Sequence, residues 1–218
     1  MEHLALLTAS WQRCWTELAK NAQGVELFQQ LIQAYTEPQR VYHSIQHLAD
    51  CLRLFQENRE LASRPEEVEM ALWFHDAIYD VTATDNEITS AHWAETALKA
   101  VGVEESSIQR IVQLILATRH TSNSDQNGDE VSADTALLLD IDLAILGASP
   151  ARYAEFESQI RQEYGWVEPE RFREGRLSIL KRFQAQSPVY HTPKLANLWE
   201  KNAHTNLAWA ITELERNC

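Results

Sequence analysis

Six residues of this 218-residue chain combine types and spacings that could do chemistry: His43 and His47 in YHSIQH, His75 and Asp76 in WFHDAIYD, and Asp140 and Asp142 in LLDIDLAILG. All stand in stretches whose periodicity otherwise asks for apolar side chains. Burying an ionisable group there is costly unless it is paired or bound to a cation. Imidazole nitrogens and carboxylate oxygens together suit a divalent first-row metal, and such an ion removes the cost of the buried carboxylates. His47, His75, Asp76 and Asp142 make a set of two histidines and two aspartates. In an octahedral sphere this set leaves two positions for water and substrate, the character of a catalytic site rather than a closed structural one. The donors favour Mn, Fe, Co, Ni or Zn over Mg. Taken singly, each histidine also reads as an ordinary core residue, Asp76 as a cap or an arginine partner, and Asp140 as a surface residue at a helix border.

Helices must position these residues. The chain reads as all-α, a bundle of roughly nine helices forming one domain over 1–218, with a metal-site core at about 40–147 and terminal helices packed on it. A helix expected from about Tyr42 to Glu60 has an apolar stripe of Ile45, Leu48, Leu52 and Phe55, with His43, His47 and Cys51 on the adjacent stripe. Ser63 with Glu66, and Thr84 with Glu87, form capping-box patterns that open helices running to about Tyr79 and to Gly102. In the first of these the inward stripe is Val68, Leu72, His75 and Tyr79. A helix to His120 leads into the polar loop TSNSDQNGDE. Further helices are expected from about Ala133 to Leu146, from Pro150 with Ser149 as cap, from Pro169 and from Lys194. Earlier segments near Leu4–Leu18 and Gly24–Tyr35 read as scaffold, and the tryptophans, Trp73 and Trp93 among them, as core.

Composition narrows the partners. Lysine and arginine number 19 against 32 aspartates and glutamates, a formal net charge of −13, which disfavours a nucleic-acid polymer or an anionic membrane. Glycine and proline total 12, few enough to favour long helices. Cys14, Cys51 and Cys218 form neither a CxxC pair nor a disulfide framework. The N-terminus lacks the basic start of a secretory signal, and no apolar run approaches the ~18 residues that span a bilayer. The expectation is a cytoplasmic protein, with a homo-oligomer left open.

Together, YHSIQH at 42–47, WFHDAIYD at 73–80 and LLDIDLAILG at 138–147 resemble the HD superfamily of metal-dependent phosphohydrolases. The chain is similar to a bacterial group of predicted HD phosphohydrolases through NEITSA at 86–91, ATRH at 117–120, RQEYGWV at 161–167, FREGR at 172–176 and NLAWAITEL at 206–214. The resemblance implies an HD-type helical bundle, with His47 as first metal ligand, His75 and Asp76 as the signature pair and Asp142 as the final ligand. YHSIQH also resembles the YHxxxH segment of cyclic-nucleotide phosphodiesterases, where the earlier histidine donates a proton and the later binds metal. Other HD proteins would align His43 with the ligand. Helix geometry allows either, and His47 is taken as the ligand with His43 as the acid.

What the resemblance implies chemically is hydrolysis of a phosphoester or phosphoanhydride of a nucleotide or other small phosphorylated metabolite, by an activated water. His43 would protonate the leaving oxygen. Asp80, Glu87 and Asp140 are candidates for a base or for supporting the ligands, and His120 for assisting. With the chain so acidic, the substrate phosphate needs a local field. The segment RFREGRLSILKR at 171–182 carries five basic residues against one acidic, making Arg173 and Arg176, with Arg161 one helix earlier, a candidate phosphate clamp. Arg40, near His43, is an independent candidate. Two other functions are weighed: an HD-type di-iron oxygenase, for which His92 and His120 are the histidines available to a second iron, and a non-catalytic nucleotide- or protein-binding module.

Overall fold

A computed structural model describes residues 2–20, 24–119 and 131–216. Ten α-helices and no strand occur among them: α1 Glu2–Ala19, α2 Val25–Tyr35, α3 Ile45–Asn58, α4 Pro65–Phe74, α5 Asn86–Ala100, α6 Glu105–Ala117, α7 Ala133–Asp142, α8 Pro150–Glu163, α9 Pro169–Ala185 and α10 Pro193–Arg216. Short 3-10 turns follow α3 and α7, at Arg59–Leu61 and Leu143–Gly147. Residues 1–139 and 140–218 form two compact units. Among the described residues no helix is long and apolar enough to cross a membrane. His120 and the expected loop after it lie outside the described residues.

In the first unit α4 packs against α1, α3 and α6, and α5 against α6. Every residue of α4 from Glu67 to Phe74 is buried, so this helix is the centre of the unit. An aromatic cluster joins it to the N-terminal helices: Trp73 meets Trp11 edge-on at 5.3 Å and Phe28 at 5.7 Å. Trp73 Nε1 donates to Ser10 Oγ at 3.1 Å. Trp73 is thus core, as expected. In the second unit α10 packs on α8, α9 and the turn at Leu143–Gly147.

Helix ends follow their local chemistry in part. α8 opens as expected, with Pro150 in its first turn and Ser149 Oγ accepting from Arg152 N. α5 stops at Gly102, where φ is +75°. Val103 N bonds Leu98 O and Gly102 N bonds Lys99 O, the paired closure that a left-handed glycine permits. The two expected capping boxes do not form. Arg64 and Asp85 precede α4 and α5, neither with a side-chain cap bond. Ser63 and Arg64 instead donate their amides to the Asp134 carboxylate at 2.6 and 3.1 Å.

Candidate metal centre

Two departures from ideal helix bring the candidate ligands together. α3 starts at Ile45 after an extended Ser44, so His43 precedes the helix and His47 stands in its first turn. α4 ends at Phe74 rather than near Tyr79. Beyond that end, distant side chains take over the backbone groups that a continuing helix would have satisfied. Asp76 N donates to Tyr35 Oη at 3.3 Å, Ile78 N to Ser90 Oγ at 3.0 Å and Asp80 N to Asn86 Oδ1 at 3.0 Å. The carbonyls of Asp76 and Ala77 accept from Arg40. His75 keeps helical φ and ψ with its amide on Ala71 O at 2.9 Å, and the chain leaves the helix after it.

Three donor atoms converge there. His47 Nε2 and His75 Nε2 are 3.2 Å apart, and Asp76 Oδ2 lies 3.2 Å from His75 Nε2 and 3.5 Å from His47 Nε2. The centre of that triangle is about 1.9 Å from each corner, against the ~2.0–2.2 Å bonds of a first-row cation to nitrogen and oxygen. His75 Nδ1 meets Leu72 O at 2.8 Å. A carbonyl only accepts, so Nδ1 carries the hydrogen, and in the neutral ring Nε2 presents its lone pair to the other two donors. Burial alone would raise the Asp76 carboxyl. His75, then His43 and His47, outweigh it and hold the group well below the ordinary carboxylate range.

Within the first unit His47, Cys51 and His75 belong to a group that could hold a metal ion, each offering one ligand atom, with those atoms lying within 4.8 Å of one another. Asp142 closes α7. Cys51 was legible only as a neighbour of His47 on one helix face, since no CxxC pattern marks it. Its Sγ lies 3.7 Å from both ring nitrogens of His47. His43 is placed beside the ligands, its ring 5.9 Å from that of His47 and stacked on Tyr79 at 4.3 Å and 25°.

The remaining candidates have other employment. Asp80 is exposed, and its Oδ1 accepts from the amide and hydroxyl of Thr82, which lowers its carboxyl pKa. Glu87 sits half-buried in the first turn of α5. His92 is 77% exposed beside Glu95. Asp140, a candidate base or ligand support that also reads as a border residue, is buried in the second unit, where its carboxylate accepts the amides of His191 and Thr192 ahead of α10. Arg161 donates to the carbonyls of Tyr164 and Val167, Arg173 pairs with Glu170, and Arg176 makes a two-point bond to Glu157. Arg161 and Arg173 line a groove of about 550 Å³ that Glu157, Glu168, Glu170 and Glu213 also line. Compared with family models, curated proteins and solved structures, the chain matches none.

Proposed function

We propose that this chain is a metal-dependent phosphohydrolase of the HD type, acting on a nucleotide or another small phosphorylated metabolite. The observation that carries the proposal is the convergence of His47 Nε2, His75 Nε2 and Asp76 Oδ2 at donor spacing, with the His75 tautomer set by Leu72 O. The resemblance of YHSIQH, WFHDAIYD and LLDIDLAILG to HD signatures supports it. His47, His75 and Asp76 would hold one divalent first-row cation, and the HD resemblance names Asp142 as the final ligand. When bound, such an ion supplies a water of lowered pKa and neutralises charge on a phosphoryl oxygen.

This chain's own residues do the rest. Leu72 O keeps the proton on His75 Nδ1 and the ring in its binding orientation. Asp76, whose Oδ2 lies 3.2 and 3.5 Å from the two Nε2 atoms, supplies the negative charge that a dication requires. His43, stacked on Tyr79 and outside the convergent trio, holds a proton for the leaving oxygen. The three convergent atoms belong to the first unit, as does His43.

Elemental analysis of the purified chain beside Asp76→Ala tests the reading. The expected result is about one Mn, Fe, Co, Ni or Zn per chain, lost in the variant, together with metal-dependent phosphate release from a panel of nucleotides and phosphate esters. Wild type that takes up no metal after reconstitution overturns it.

A further inference from the structure

We propose that Arg40 is the positioning residue of this centre, a strut that fixes the segment carrying His43 and His47 against the turn carrying His75 and Asp76. The inference rests on the metal-centre reading above and deepens it. Arg40 was a candidate for binding substrate phosphate, but its guanidinium is spent inside the protein. Its side chain is fully buried. Nη1 donates to His43 O at 3.1 Å and to Asp76 O at 2.6 Å, Nη2 to Ala77 O at 2.9 Å, and Nε to Glu37 Oε2 at 3.1 Å. Four bonds leave little of a five-donor group for a ligand.

Geometry gives the strut its meaning. His43 O belongs to the approach to α3, while Asp76 O and Ala77 O lie beyond the end of α4, 36 and 37 residues from Arg40 in sequence. Those two carbonyls have lost the helix that would have satisfied them, and a cation at a helix C-terminus is also favoured by the helix dipole. The guanidinium lies over the Tyr35 ring at 5.2 Å and over the Tyr79 ring at 5.5 Å. Tyr35 Oη accepts the Asp76 amide, and Tyr79 stacks on His43. One side chain therefore touches, directly or through one ring, the backbone of Asp76 and the imidazole of His43. A planar fork reaches carbonyls of two segments at fixed angles, and an ammonium on a flexible stem does not.

The test is Co²⁺ binding to the full chain, read by calorimetry and by the visible absorption of the bound ion, for wild type, Arg40→Lys and Arg40→Gln. Arg40→Gln removes the buried charge with its desolvation cost, and so serves as a folded second variant if the lysine proves too disruptive. Expected is a Co²⁺ affinity weakened about ten- to a hundred-fold in both variants, the range for loss of a group that orients metal ligands, with an altered absorption band and an unchanged helical circular dichroism spectrum. Variants that lose thermal stability but bind Co²⁺ with wild-type affinity and spectrum make Arg40 merely structural and overturn the inference alone. Wild type that binds no Co²⁺ overturns the metal-centre reading and the strut with it.

Discussion

His47 and His75 bring their Nε2 atoms to 3.2 Å across 28 residues of sequence. Two imidazole nitrogens at that distance cannot both present bare lone pairs to each other without a proton or a cation between them. The Leu72 carbonyl already claims the Nδ1 hydrogen of His75, and Asp76 Oδ2 is a third acceptor within 3.5 Å of both rings. A dication resolves all three demands at once.

Chelation should therefore cost stability. An ion present at a hundred times its Kd adds about 2.7 kcal/mol by mass action, which for a chain of this length is roughly 5–10 °C in Tm. EDTA added to the metal-loaded protein is expected to lower Tm by about that much in wild type and by nothing in His75→Ala. Differential scanning fluorimetry reads both, and equal shifts in the two proteins would count against the centre.

Arg176 is expected to matter for stability rather than for substrate. Its guanidinium makes a two-point bond to Glu157 with both side chains largely buried, at 10% and 16% exposure, and lies over the Phe156 ring. Arg176→Ala strands a nearly buried carboxylate and should cost about 1–3 kcal/mol. Arg173→Ala, whose partner Glu170 is 68% exposed, should cost less than about 0.5 kcal/mol. Urea titration gives both numbers. A rise in KM for a phosphorylated substrate in Arg176→Ala, with unchanged midpoint, would restore the phosphate-clamp reading.

Much of this was legible in the chain. The helices come out close to their expected spans because caps and breakers act locally: Ser149 with Pro150 opens α8, and Gly102 closes α5. His75 and Asp76 stood out because polar groups in an apolar stripe demand compensation, and His47 as a histidine on the stripe beside an apolar one. What was not legible depends on residues far apart. Nothing near Phe74 marks the end of α4, since the groups that replace the helix come from Tyr35, Arg40, Ser90 and Asn86. Arg40 reads from sequence as a free cation beside a histidine, and only the fold shows it inside, on three carbonyls. The capping boxes fail for the same reason, because Asp134 reaches the start of α4 from 70 residues away.

That long-range cap makes its own prediction. Asp134 is buried and accepts the amides of Ser63 and Arg64 ahead of Pro65, as a local N-cap residue would. Asp134→Ala should lose about 1 kcal/mol, the usual value of a cap, whereas Ser63→Ala should change almost nothing because its hydroxyl is not the cap. The reverse order of the two denaturation midpoints would mean that the local box forms after all.

The buried acid at the heart of the first unit offers the sharpest contrast between an interaction and its removal. Glu69 is fully buried, and its carboxylate is held by Ser10 Oγ at 2.6 Å and by the Arg13 guanidinium in a two-point bond, while Trp73 Nε1 donates to the same Ser10 oxygen. Arg13 is 31% exposed, so part of its contribution is screened by solvent. Removing it in Arg13→Ala still leaves a charge in the core with only a hydroxyl for company, at a cost of about 2–4 kcal/mol. Replacing both partners, in Arg13→Met with Glu69→Leu, removes the desolvation penalty along with the attraction and should recover most of that loss. Urea midpoints at constant m-value compare the three proteins. A double variant no more stable than Arg13→Ala would mean that the carboxylate earns its place by packing and by ordering Ser10 and Trp73, rather than by its pairing with arginine.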